Sequence, residues 1–251
     1  MAEGWRIGSA SVVGAGHLAG DVPCQDAHLV DFMAAHGAMI AVAADGAGSA
    51  ANAAEGAQRA CLSFVALARA YIAEAGAPPG EAEVCAWAIS FRAELDSVAQ
   101  AAGSRIREYA STLLAVVLVG DEALFVQLGD GAIVVREEGG EFGWVFWPEQ
   151  GEYANVTSFL TDANASERLS CERVRRRYKE IALFTDGLQR LVLNLAERTV
   201  HQPFFEQVMG PVRKPGVPDE VLSARLAAWL ASDKVNLRTD DDKTLVLLRR
   251  E

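Results

Sequence analysis

Basic charge, histidine, paired cysteines and long apolar runs are all scarce in this chain. Lys and Arg number 23 against 34 Asp and Glu, a formal net charge of −11. A surface of that sign repels the phosphate backbone, so nucleic acid is not an expected partner. Cys24, Cys61, Cys85 and Cys171 are scattered, with no CxxC pair. That spacing argues against a zinc site and against a disulfide framework, and free thiols suit a reducing compartment. Four histidines are too few for the His-rich ligand sets of many metallohydrolases. No apolar run reaches membrane-spanning length, and the first residues lack a basic stretch followed by an apolar one. A cytoplasmic protein without membrane association is expected.

What remains is ordinary globular composition, 51% hydrophobic and 23% charged. Residues 1–251 are read as one domain, long enough to bury a core without staples. Strand-like stretches run from Trp5 to Val13, His28 to Met33 and Ala38 to Ala44. Helical patterns follow over Asn52 to Ala75, where Leu62, Val65, Leu67 and Ile72 suggest one buried face, and over Glu81 to Ala102. Further strands are predicted over Thr112 to Val119, Ala123 to Leu128, Ile133 to Arg136 and Phe142 to Trp147. Pro148 to Cys171 is polar and aperiodic, which predicts a mobile segment. Glu180 to Thr185 is a strand, two or three helices follow, the last near Asp219 to Ala231, and Lys243 to Arg249 closes the chain. Strands and helices come in blocks, so an α+β layout of mainly antiparallel sheets is expected.

Three Asp-Gly pairs each follow an apolar run: Asp45-Gly46, Asp130-Gly131 and Asp186-Gly187. Any one alone reads as a two-residue hairpin turn. Against that, the chain is expected to enter helix after Asp45 and Asp186. Asp240-Asp241-Asp242 precedes the final strand, and Asp26 precedes another. Acids at several strand ends can converge at one sheet edge. Carboxylate oxygens suit hard cations such as Mg²⁺ and Mn²⁺. Two such ions about 3.5–4 Å apart can clamp a phosphate and activate water.

In order, the chain carries Gln25-Asp26-Ala27, Asp45-Gly46-Ala47-Gly48, Ser111-Thr112-Leu113, Gly129-Asp130-Gly131, Thr185-Asp186-Gly187-Leu188 and Asp241-Asp242-Lys243-Thr244. Together these resemble the metal-dependent serine/threonine protein phosphatases of the type 2C class. Gly14, His17, Gly20 and Cys24 ahead of Gln25 resemble its bacterial branch. The resemblance runs from about residue 8 to 249. It implies a four-layer α-β-β-α sandwich, two antiparallel sheets flanked by helices. It implies two Mn²⁺ or Mg²⁺ ions, with a third held more weakly. Asp45 and the Gly46 carbonyl, Asp186 and Asp241 would be ligands, and Asp130 would serve the third ion. Asp26 would work beside the attacking water, with no phosphoenzyme. A phosphorylated protein is the implied substrate, with a cognate serine/threonine kinase or its target as the partner.

The chain departs from the family pattern at Gln25, where Glu is usual, at Ser49 and Ala50, and at Asp242, where Asn is usual. The phosphate-binding Arg has no clean match. His17 is the nearest candidate, or else an ordinary loop histidine. Two other functions stay open: a phosphatase-fold regulatory module that binds a phosphoprotein with little turnover, and a two-metal hydrolase of small phosphoesters or nucleotides. Gly14, Gly16 and Gly20 lack nucleotide-loop spacing, and no helix is expected after them. Arg173, Arg175, Arg176 and Arg177 read as a solvated strand face or, less plainly, a phosphate-docking patch. Trp144, Phe146 and Trp147 read as sheet packing.

Overall fold

The computed structural model describes residues 4–148 and 157–251. In chain order the elements are β1 (Trp5–Val12), α1 (Ala15–Ala19), β2 (Ala27–Met33), β3 (Ala38–Ala44), α2 (Ala53–Ala75), α3 (Glu81–Ala101), β4 (Leu113–Val119), β5 (Glu122–Leu128), β6 (Ala132–Arg136) and β7 (Gly143–Trp144). The second half runs through α4 (Ala165–Arg168), β8 (Ser170–Arg175), β9 (Glu180–Phe184), α5 (Gln189–Val192), β10 (Leu193–Asn194), β11 (Thr199–Val200), α6 (Gln202–Arg213), α7 (Asp219–Leu230), α8 (Asp233–Asn236) and β12 (Lys243–Arg250).

Two five-stranded antiparallel sheets stack face to face, in the orders β2-β3-β4-β5-β8 and β1-β12-β9-β6-β7. β3 shows why. Every residue from Ala38 to Ala44 is buried, and the period-2 alternation sends them to two different cores. Ala38, Ile40, Val42 and Ala44 join the cluster beneath α2 and α3. Met39, Ala41 and Ala43 pack against Ile133, Leu183, Val246 and Leu248 of the opposite sheet. A third cluster lies under α6 and α7, with Phe205, Met209 and Leu230 against Phe184 and Leu245. The result is the expected four-layer sandwich.

Several local expectations need correction. Leu62 is 53% exposed, so the buried face of α2 is carried by Ala57, Phe64, Val65, Ala68 and Ile72. After Asp45 the chain bridges to Ser111 and turns, and α2 starts only at Ala53. A helix does follow Gly14, the five-residue α1, although it is too short for a nucleotide loop. The Phe142 to Trp147 strand shrinks to two residues, because Phe142 turns inward onto Phe205. Trp144 is 41% exposed and meets Trp147 edge-on.

Pro148 to Cys171 is only partly within the described residues, since 149–156 lie outside them. From 157 onward the expected mobile segment is packed: Ser158, Leu160 and Thr161 are buried, Leu160 N–H donates to Ser111 O, and β8 begins at Ser170. The alternation that marks a strand is blurred in β8 because the successive residues Glu172 and Arg173 are both exposed. Within β8 Arg173 pairs with Glu122, and past its end Arg176 pairs with Glu137 and Arg177 with Asp121, all solvated.

Candidate metal centre

None of the Asp-Gly pairs makes a hairpin. Asp130-Gly131 lies between β5 and β6, which belong to different sheets. Asp45 leaves β3 and Asp186 leaves β9, again without a paired partner following. The glycines answer to crowding. A Cβ on Gly46 would lie 2.6 Å from Ala53 O and 2.8 Å from Gln25 O; one on Gly187 would lie 1.9 Å from Asp242 O. Strand ends from both sheets thus press together at one edge, and glycine lets backbone meet backbone there.

That approach gathers the acids. Carboxylate oxygens of Asp45, Asp130 and Asp186 all lie within 4.8 Å of one another. Asp241 lines the same open cleft of about 370 Å³, with His17, Gly46, Gly48, Ser49, Thr157 and Phe159. Thr157 donates to Asp130 Oδ2 at 2.7 Å, and Gln189 Nε2 donates to the Asp130 carbonyl. Thr112, which follows Ser111 in its motif, accepts through Oγ1 from the Asp45 N–H at 2.9 Å and so pins the end of β3. A larger groove of about 560 Å³ opens between the edge strands β7 and β8, and none of these aspartates lines it.

Asp26 is buried deeper. Its Oδ2 accepts from the Thr185 and Thr244 hydroxyls, each at 2.8 Å, while Oδ1 has no partner. Behind it runs a chain of polar groups. Because Thr244 donates to Asp26, Ser11 Oγ, 2.6 Å from Thr244 Oγ1, is the donor there. Ser11 in turn faces His28 Nδ1 at 2.8 Å and accepts from it. Ser11, His28, Thr185 and Thr244 therefore belong to the site's support, and the sequence offered no signal for the first two beyond their strand positions. Gln25 is 8% exposed and its Oε1 also lacks a partner. His17 Nδ1 sits 2.9 Å from Asp242 Oδ2. Its N–H direction is off line for a straight hydrogen bond, and no other acceptor takes it.

The electrostatics follow from crowding like charges out of water. Burial, then the charge of Asp26 and Asp186, holds the Asp45 carboxyl well above the usual range, and Asp45 and Asp186 share a hydrogen bond. Burial raises Asp26 from 3.8 to about 7, against the pull of the two threonine hydroxyls. Asp186 also rises to about 7, through burial and then the neighbouring Asp130 and Asp241. Cys24 beside them is pushed up to about 12 by burial, which makes it a neutral, unreactive thiol. An all-oxygen donor set, carboxyls that resist losing their protons, and orphaned buried oxygens on Asp26 and Gln25 all fit hard divalent cations with bound water.

Known proteins carry the same pattern. A family model described as Protein phosphatase 2C matches residues 13–231. Serine/threonine-protein phosphatase 3 of Escherichia coli (strain K12) is 37% identical over 251 residues, covering 97% of each chain. The solved S. agalactiae serine/threonine phosphatase superposes with a TM-score of 0.66 at 17% identity, over 98% of this chain and 100% of that one. The catalytic domain of the serine threonine protein phosphatase PstP, in complex with 2 manganese ions, does so with a TM-score of 0.63 at 14% identity, over 98% and 97%. At those identities the two structures share the fold.

Proposed function

This chain belongs to the protein phosphatase 2C family and is a serine/threonine protein phosphatase, and from that premise we propose how its own residues do the work. The observation that carries the reading is the convergence of Asp45, Asp130 and Asp186 within 4.8 Å, with Asp241 across the cleft. These four acids and the Gly46 carbonyl would hold Mn²⁺ or Mg²⁺, two ions with a third more weakly bound. When present, such ions supply Lewis acidity and an activated water.

The chain's share is positioning and proton handling. Asp26, its Oδ2 saturated by two hydroxyls, keeps Oδ1 as a fixed acceptor for a water in the site. A carboxyl held beside that water can accept a proton from it. Gln25 Oε1 offers a second, neutral acceptor. His17, on the open side of the cleft, faces the phosphate where the family uses an arginine. The substrate is phosphoserine or phosphothreonine in a protein, supplied by a kinase of matching specificity.

A binding module with little turnover is not favoured. A site without cations would gain from losing acids that repel one another, and four are kept. No helix among the described residues is long and apolar enough to cross a membrane. The test is hydrolysis of a phosphothreonine peptide with Mn²⁺ and with excess chelator. Turnover only with the metal is expected, and undiminished turnover in chelator would overturn the mechanism.

A further inference from the structure

Asp242 carries more of this site than the metal ligands explain. It is 3% exposed, two backbone N–H groups donate to it, and an imidazole lies against it. Gly14 N–H donates to Oδ1 at 2.6 Å, and Gln25 N–H donates to Oδ2 at 2.5 Å. His17 Nδ1 lies 2.9 Å from Oδ2, close enough for an ion-pair contact although its N–H is off line for a straight hydrogen bond. The surrounding backbone locks the arrangement: Gly16 N–H donates to Asp240 O at 2.8 Å, and a Cβ on Gly14 would come within 2.3 Å of that same oxygen. Asp242 N–H closes on Asp241 Oδ1 at 2.8 Å.

Both oxygens of Asp242 must therefore accept. An asparagine has one acceptor oxygen and one NH₂ group. Whichever way it turned, the NH₂ would face a buried N–H at about hydrogen-bond range. One donor would be left unsatisfied, and like dipoles would oppose. The asparagine usual in the type 2C pattern cannot do here what Asp242 does. This chain carries aspartate at 242 and histidine at 17, and the two side chains lie 2.9 Å apart.

We propose that Asp242 is the positioning residue that holds the His17 imidazole over the cleft and ties it to the backbone of Gln25. This rests on the reading of His17 as the group that faces the phosphate. With Nδ1 within 2.9 Å of the carboxylate, Nε2 is the ring nitrogen left for the phosphoryl group. One buried charge thereby links α1, the approach to β2 and the start of β12, the three segments that bring His17, Asp26 and Asp241 to the site.

The experiment is a double-mutant cycle on the full chain, with a phosphothreonine peptide at saturating Mn²⁺. Its members are Asp242→Asn, His17→Gln and the pair. Each single variant should lower kcat/KM by about 10–100-fold, the scale of supporting-residue effects in such sites. The pair should lose little more than either alone, with the loss divided between KM and kcat alike in all three. The Mn²⁺ concentration for half-activation should stay within about twofold. Additive losses, or a Mn²⁺ requirement that rises in Asp242→Asn but not in His17→Gln, would mean that Asp242 serves Asp241 or the fold instead. A wild-type rate in Asp242→Asn beside an impaired His17→Gln would overturn the inference and leave the His17 reading intact. A wild-type rate in His17→Gln would overturn both. Imidazole ¹⁵N NMR of the unaltered protein decides the matter even if Asp242→Asn fails to fold. Assigned by its loss in His17→Gln, the His17 Nδ1 must carry a proton; a bare Nδ1 sinks the proposal.

Discussion

At the scale of single residues, the cleft separates groups that bind from groups that orient. Asp45 and Asp186 share a hydrogen bond and repel the acids around them, so each is worth its place only when a cation is present. Asp45→Asn and Asp186→Asn are expected to abolish turnover while the protein stays folded, read by phosphopeptide assay, calorimetric Mn²⁺ titration and circular dichroism. Wild-type rates in either would show the ligands wrongly assigned. Gln25 is a finer case. A carboxylate there would add negative charge near the cations and accept stronger hydrogen bonds from their water. Gln25→Glu should lower the Mn²⁺ concentration for half-maximal activity by about 10-fold or less. If that concentration is unchanged or higher, Gln25 belongs to phosphate handling. The aspartates were legible in the sequence because each stands at a strand end beside glycine. Ser11 and His28 were not, since small polar residues in edge positions are ordinary until a partner strand turns them toward Asp26.

At the scale of elements, glycine decides whether strand ends can meet. A methyl group on Gly187 would collide with the Asp242 carbonyl. Gly187→Ala should cost at least about 1–3 kcal/mol, the range for overpacked sites, and should weaken Mn²⁺ binding by displacing Asp186. Gly210→Ala is the control. That glycine lies inside α6 with nothing within 4 Å of its would-be Cβ. Its replacement should stabilise the protein by about 0.5–1 kcal/mol, measured by urea unfolding. The stretch from Pro148 to Cys171 belongs to this scale too. Thr157 and Phe159 reach the cleft from it, one bonded to Asp130. Exchanging the stretch for that of a relative should alter activity on phosphopeptides more than on a small aryl phosphate. Equal effects on both would count against a role in substrate choice. Strand β8 escaped the periodicity because Glu172 and Arg173, on opposite faces, are both exposed. The true face of α2 was misjudged because alanines bury as well as leucines beneath a close-packed sheet.

At the scale of the whole molecule, the proposed metal centre would trade stability for cation binding. Asp26 and Asp186 have folded values raised to about 7 from 3.8. A carboxyl with a raised folded value binds its proton more tightly in the native state than in the unfolded one. Its contribution is fully present below about pH 4 and is lost as pH rises through about 7. In chelator, the melting temperature should therefore fall across that window. Saturating Mn²⁺ should reverse the fall, because cations bind only the ionised native site. A metal-free melting temperature that rises steadily from pH 4 to 8 would contradict the electrostatic picture.

Sequence by itself determined the α+β class, most strand and helix bounds, and which aspartates stand at strand ends, because hydrophobic period and Asp-Gly punctuation are local properties. It left open whether Asp-Gly meant a hairpin, since a turn and a crossing between sheets look alike over two residues. Only the tertiary structure decided that. Stacking two sheets and sealing each with helices brings residues as distant as Asp26 and Thr244 within 2.8 Å. The same packing turns Asp242 from one acid in a run of three into a buried carboxylate whose two oxygens are both committed, and it does so because backbone N–H groups that leave water must find an acceptor.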